Sequence, residues 1–179
     1  LGDVLDAGSG DGTLAELIAP RAASVTCLDR SERVLEAARA RLRKQDNVRF
    51  ENADLHALPF EDASFDQVML FNVLTCANEP PQVIAEAARV LRPEGSLAIV
   101  TLKEHAHAQV TSAYGHVHPG FAPAKLRAML RRAELAIDAC EVTCREKRRP
   151  HFEILTAFAH RESTHRGSTC RTAKKRSST

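Results

Sequence analysis

Tryptophan is absent from the chain and tyrosine occurs once, so aromatics make up only 4% of its 179 residues. Any core must therefore rest on Leu, Val, Ile and Ala. The 44% apolar content suffices for one globular α/β domain, and the length leaves no room for a second. No run approaches the roughly 18 apolar residues that span a bilayer, which excludes a helical membrane anchor within the chain. The cysteines (Cys27, Cys76, Cys140, Cys144 and Cys170) are odd in number and lack a closely spaced CxxC pair. That argues against a disulfide framework and suits a reducing cytoplasm. The chain opens on Leu rather than Met, almost at a strand, and reads as a fragment, so a missing signal peptide carries little information.

Charge of one sign is also lacking, since the net charge is only +2. Five basic residues (Arg166, Arg171, Lys174, Lys175 and Arg176) lie beyond Glu162, against that single acid. The rest is slightly acidic, with no general basic face for nucleic acid. Residues 162–179 are polar and without periodicity, and read as a disordered basic tail behind a domain spanning 1–161.

Within that domain, strand-like apolar runs alternate with segments of helical period. GDVLDAG, SVTCLD, NVRFENAD, FDQVMLFNV and SLAIVTL read as five buried strands. TLAELIAP reads as a helix stopped by Pro20. Ser31 is a plausible N-cap for a helix carrying Val34, Leu35, Ala38 and Leu42. Pro80 and Pro81 open a third helix with Val83, Ile84, Ala87, Val90 and Leu91 on its buried face, ended by the turn Arg92-Pro93-Glu94-Gly95. Leu126, Met129, Leu130 and Ala133 mark another helix. LAIDACEVTC and FEILTAFAH then form strands whose KRRP linker is too short for a crossover, so they pair as a hairpin. The expected fold is α/β and doubly wound: a mostly parallel seven-stranded sheet with a C-terminal antiparallel hairpin.

Chemistry enters at Asp6-Ala7-Gly8-Ser9-Gly10-Asp11-Gly12, between the first strand and the first helix. Glycines there let the backbone turn sharply and approach a ligand where a Cβ would clash. The helix start presents free N–H groups. Asp29 ends the second strand, where nucleotide-binding folds set a carboxylate against ribose hydroxyls. A dinucleotide loop would read G-x-G-x-x-G, but here the third glycine comes one residue early. That spacing favours a ligand with no pyrophosphate to seat.

At this point the chain resembles the class I S-adenosylmethionine (SAM)-dependent methyltransferases of the type 11 kind, with their Rossmann-like sheet. VLDAGSGDG resembles their first motif and VTCLDRS their acidic second strand end. Asn52-Ala53-Asp54-Leu55, with Leu58-Pro59-Phe60, resembles the segment whose acid caps the adenine. Ser64-Phe65-Asp66-Gln67-Val68 and Val90-Leu91-Arg92-Pro93-Glu94-Gly95 resemble the fourth strand and the turn before the fifth. The likeness runs over roughly residues 2–101. It implies that Asp6, Gly8 and Gly10 line the methionine portion of SAM, and that Asp29, beside Arg30, accepts both ribose hydroxyls. It further implies that Asp54 accepts the adenine amine, that Leu55 packs on the ring, and that Asn72 sits near the sulfonium. The second half, from EHAHAQVTSAYGHVHPGF onward, is similar to a bacterial group in which this domain follows an ArsR-type winged-helix repressor. DNA contact would come only through such a preceding domain.

The methyl acceptor is not legible. A base for it is sought in the stretch after the fifth strand, at Glu104, His105 and His116, with His107 and His118 as neighbours. The stretch from Glu104 to Phe121, hinged at Gly115 and Gly120, reads as a lid on the substrate side. Four histidines so close together invite a metal reading, but polar loops collect histidines too, and no metal is expected. Cys140 and Cys144 suggest thiol or arsenic chemistry. In a regular strand they would share one face about 13 Å apart, too far for one ion. Cys76 is the more interesting thiol, since it follows the fourth strand. Two readings stay open: an enzyme moving a methyl group to a small molecule, and a SAM-sensing regulatory module that binds without turnover.

Overall fold

The computed structural model describes residues 1–163; the tail expected over 162–179 lies, from residue 164 on, outside the described residues. Strands β1 (Asp3–Ala7), β2 (Ser24–Asp29), β3 (Val48–Asn52), β4 (Phe65–Phe71), β5 (Leu91–Leu102), β6 (Leu135–Arg145) and β7 (Glu153–Arg161) form one sheet. Its order is β3-β2-β1-β4-β5-β7-β6. The first five strands run parallel, and β7 is antiparallel to both β5 and β6. The doubly wound sheet with its terminal hairpin is the one the alternating pattern implies.

Successive residues of a strand face opposite sides of the sheet, and here each side is covered. Val4, Val25 and Cys27 point to α1 (Thr13–Ile18), the 3-10 turn Ala19–Arg21 and the end of α2 (Glu32–Arg41). Leu5, Leu28, Val68 and Leu70 point to α3 (Pro80–Val90) and α5 (Pro123–Arg132). Each fully buried Leu, Ile or Val stabilises by about 1.5–3 kcal/mol. Such residues dominate the core, as the lack of aromatics requires. Phe65 and Phe121 are the aromatic exceptions, and Phe121 is the largest fully buried side chain. A short helix, α4 (Ala108–Ser112), interrupts the histidine-rich stretch.

Four expectations need correction. Ser31 stands at the N-cap of α2 but makes no side-chain cap; its N–H instead donates to Asp29 Oδ1 at 2.9 Å. Pro20 lies inside the 3-10 turn, so α1 is already over at Ile18. Leu91 belongs to β5 rather than α3, pairing with Phe65, and Arg92–Gly95 bulge from the strand before Ser96 pairs with Gln67. Arg92 holds that bulge through Asp3 at 2.9 Å and Asp66 at 2.8 Å. Finally, β6 slips register between Val142 and Cys144. Cys140 thus lies across from the buried Ala157 while Cys144 lies across from Ile154, on the other face, and is exposed. The extra residue of a bulge reverses the alternation that had put both thiols on one side.

No helix among the described residues is long and apolar enough to cross a membrane.

Candidate functional site

Open parallel sheets bind ligands outside the carboxyl ends of their strands, and the site lies there. The loop after β1 is tied to β2 by the N–H groups of Gly8 and Ser9, both donating to Leu28 O at 2.7 and 2.9 Å. Gly8 adopts φ 82°, and a Cβ on it would lie 2.1 Å from Val73 Cγ1. Only glycine fits between this turn and the segment after β4. Gly10, at φ 55°, faces open space, with no atom within 4 Å of where its Cβ would be.

Asp29 is gripped from two sides. Gly10 N–H donates to Oδ2 at 3.2 Å and Ser31 N–H to Oδ1 at 2.9 Å. Each oxygen keeps a second acceptor position, so the carboxylate has room for two hydroxyls. Asp54, after β3, accepts at Oδ1 from His56 N–H at 2.8 Å and from His56 Nδ1 at 2.6 Å. These two bonds hold its pKa below the ordinary carboxylate value.

Asp29, Arg30, Asp54, Leu55 and Asn72 line one cleft of about 260 Å³ with Gly8, His56, Phe71, Val73, Cys76 and Ala77. That volume is at the small end for a ligand cleft. One wall is acidic and the other apolar, as a flat ring and a diol both require. Asn72 holds φ 57°, a left-handed conformation that Asn tolerates, with its N–H donating to Val100 O at 2.8 Å. A larger groove, of about 680 Å³, runs along α3 and α5 past Glu79, Gln82 and Arg132. It shares only His56 with the cleft and holds no strand end.

Two expected cofactor residues, Gly10 and Asp6, do not line this cleft. Gly10 reaches the site through its N–H on Asp29. Asp6, 2% exposed, is buried under the loop, with Oδ2 lacking a partner among the described residues. Burial, and then the charge of Asp29, push its pKa up to about 7. A buried carboxyl without a partner is costly unless it stays protonated or meets a cation. SAM carries an ammonium, a sulfonium, a diol and an aminopurine. The orphaned Asp6 oxygen, the spare acceptor positions of Asp29 and the Asp54–Leu55 pair suit those groups in turn.

The expected acceptor residues occupy different ground. The segment 103–121 is closed at its base: Glu104 N–H donates to Phe121 O at 3.2 Å, and His105 N–H to Pro119 O at 3.0 Å. It is pinned to the 3-10 turn Leu74–Cys76 by Val117 and His118 N–H groups on Thr75 O, at 2.8 and 3.0 Å. His118 Nε2 donates to Ala77 O at 3.0 Å. His118 is thus a tie between segment and cleft wall. The His105 ring stacks near Phe152, with centroids 4.5 Å apart, and its Nδ1 accepts from His107 N–H at 3.1 Å. The proton is therefore on Nε2, which is buried without a partner among the described residues, as is Nδ1 of His116. Burial lowers the pKa of both rings, and His107 and His116 lower that of His105 further. Glu104 is exposed. None of Glu104, His105 and His116 lines the 260 Å³ cleft. Among the described residues no three His, Cys, Asp or Glu side chains gather as metal ligands.

Sequence reasoning missed His56, Phe71, Val73 and Ala77 in the wall. Only His56 left a signal: it stands two residues after Asp54, the spacing at which an Asp side chain bonds its own downstream N–H. Cys76, singled out for its place after β4, does line the cleft.

Acids at successive strand ends, over a glycine turn and beside an apolar wall, define an α/β domain built to hold a nucleoside-like ligand. The chain belongs to the methyltransferase domain family, whose model matches residues 5–99. It is 41% identical over 96 residues to a demethylmenaquinone methyltransferase of Clavibacter sepedonicus, covering 54% of this chain and 39% of that protein. It is 41% identical over 100 residues to the 27-O-demethylrifamycin SV methyltransferase of Amycolatopsis mediterranei, covering 54% and 37%. The match thus spans well under half the length of these curated relatives. Among solved structures, the SAM-dependent methyltransferase of Methanosarcina mazei superposes with a TM-score of 0.76 at 21% identity, over 90% of this chain and 92% of that one. The enzyme of Mesorhizobium loti gives 0.74 at 22%, over 89% and 90%. At such identities the likeness is one of fold.

Proposed function

We propose that this chain binds SAM and transfers its methyl group to a small-molecule acceptor. The observation that carries the reading is the convergence of Asp29, Asp54 and Leu55 on one cleft, with the unpartnered Asp6 carboxyl buried under the glycine loop. Asp6, with Gly8 and Gly10, serves the methionine portion. Asp29, beside Arg30, accepts the ribose hydroxyls. Asp54 accepts the adenine amine, Leu55 covers the ring and Asn72 borders the sulfonium. Bound SAM supplies an electrophilic methyl on a good leaving group, so the protein's part is to align the acceptor and keep it unprotonated. His105 and His116, held largely neutral by burial, are suited to take the acceptor's proton, with Glu104 at the mouth of the same segment. The segment from Glu104 to Phe121 acts as the substrate-side lid. No resident metal is assigned.

The free thiols of Cys27, Cys76, Cys140 and Cys144 support a cytoplasmic setting. The domain takes in residues 1–161. A SAM-sensing module attached to an ArsR-type winged-helix regulator would use the same cleft without turnover, and would meet DNA only through that attached domain. Incubating the full-length protein with methyl-labelled SAM and a metabolite extract separates the two. A labelled small molecule supports the enzyme. Tight SAM binding with no labelled product over many extracts supports the sensor, and absence of SAM binding overturns both.

A further inference from the structure

Asp54 is poorly placed to act alone. It lies in the loop after β3, outside any strand or helix, and its side chain is 63% exposed. A carboxylate so exposed samples several rotamers and would present either oxygen, or neither, to a ligand. In this fold one neighbour holds it. Both donors on Asp54 Oδ1 come from His56, the backbone N–H at 2.8 Å and ring Nδ1 at 2.6 Å.

The far side of the ring shows which nitrogen carries the proton. Glu79 N–H points at His56 Nε2 across 3.3 Å, so Nε2 accepts and Nδ1 bears the hydrogen given to Asp54. Gln82 Nε2 adds a weak bond to His56 O at 3.4 Å. His56 is therefore anchored to the start of α3 on one edge and to Asp54 on the other. Two donors occupy Oδ1, and Oδ2 is the oxygen left for a ligand. The bonds that hold Asp54 also keep it ionised, so Oδ2 can accept and cannot donate.

We propose that His56 is a positioning residue that makes Asp54 an acceptor-only reader of a purine's amino edge. The site then takes 6-aminopurine nucleosides and rejects their deaminated 6-oxo counterparts, whose carbonyl would face the carboxylate. A site built to hydrogen-bond one ligand group discriminates strongly against the analogue that cannot pair with it. This inference rests on the reading of the cleft as the SAM site.

The test is calorimetric binding of S-adenosylhomocysteine and of its deaminated inosine analogue to the full chain and two variants. The wild type is expected to prefer the adenine ligand by at least about tenfold. His56→Asn sets an amide N–H near the Nδ1 position and should keep affinity and preference within about threefold. His56→Gln sets its amide near Nε2, keeping the link to Glu79 and the backbone N–H on Asp54 but losing the ring donor that fixes the carboxylate's orientation. It should weaken the adenine ligand about tenfold and leave the inosine ligand unchanged, so the preference collapses. Melting temperatures within about two degrees of the wild type certify the fold, and a merely structural role would weaken both ligands together. A Gln variant that keeps the full preference overturns the proposal. A wild type that binds both ligands equally overturns it while leaving the SAM reading standing. A wild type that binds neither overturns both.

Discussion

The cofactor side of the sheet, up to the end of β5, and the acceptor side beyond it solve different problems. On the cofactor side, Asp29 is fixed by two main-chain N–H groups, the glycine loop by Leu28 O, and Asp54 by the backbone and ring of His56. On the acceptor side, the base candidates sit on a segment pinned by a few bonds to Thr75 and Ala77, with ring nitrogens unpartnered. The two sides also respond to pH with opposite sign. Asp6 has a raised pKa, so its contribution to stability is present at low pH and is lost as pH rises toward about 7. His105 and His116 have lowered pKa values, so theirs is present above the unfolded histidine value, about 6.5, and is lost on acidification. The contrast teaches that the cofactor side is strained by anionic charge and waits for a cation. On the acceptor side, protonation of His105 and His116 works against the fold.

The sharpest way to break this division is to remove the acceptor-side rings. Replacing His105 and His116 together by Ala should cut turnover by about 10²–10⁴, the usual range for a lost acid–base group. SAM affinity should stay within a few-fold, because neither ring lines the cofactor cleft. Single-turnover kinetics on the identified acceptor, alongside calorimetry, make the check. If SAM binding is lost in step with turnover, the sides are not separable. Stoichiometric zinc in the purified protein, lost in the same variant together with folding, would replace the lid by a metal site.

Next in size is Asp6. Between about pH 4 and 7 the unfolded chain ionises this acid while the fold resists, which costs the wild type on the order of 4 kcal/mol. Asp6→Asn removes the titrating group and keeps the shape. Urea unfolding without ligand should show the variant gaining on the wild type as pH rises from 4.5 to 7.5. With SAM present the order should reverse, because the amide offers the ligand's cation no charge. An unchanged pH profile would mean that Asp6 has found a partner.

Asp29 follows. Two charge-assisted hydrogen bonds to a diol are worth about 1.5–3 kcal/mol each, so Asp29→Ala should weaken SAM by at least about 100-fold. Calorimetry showing less than a threefold change would remove Asp29 from the site.

How far each side could be read beforehand follows the same line. The succession of strands along the chain, the glycine turn and the acids at strand ends were legible because each rests on local rules, such as apolar runs, turn chemistry and the carboxyl-end rule for ligands. Bulges were not, since an unpaired residue leaves no mark in the sequence; hence the misplaced start of β5 and the wrong shared face for Cys140 and Cys144. His56 escaped because its role depends on α3 arriving beside it. The histidines after β5 were found as a group, but their sorting into a tie, His118, and two rings with unpartnered nitrogens needed the fold. Tertiary contacts, and no local pattern, decide that sorting.

The smallest predicted effect tests how completely main-chain groups run the cofactor side. An N-cap serine normally contributes about 1 kcal/mol by bonding the first turn of its helix. Ser31 occupies that position without making the bond, and its role at the site is carried by its N–H on Asp29 Oδ1. Ser31→Ala keeps that N–H and removes only the idle hydroxyl. Stability should change by less than about 0.5 kcal/mol, the range of an ordinary surface substitution, and SAM affinity should not change measurably. A loss near 1 kcal/mol in urea unfolding would mean that the hydroxyl caps α2 in solution. A loss of affinity at constant stability would make the Ser31 side chain a ligand contact, and the main chain would no longer account for how Asp29 is held.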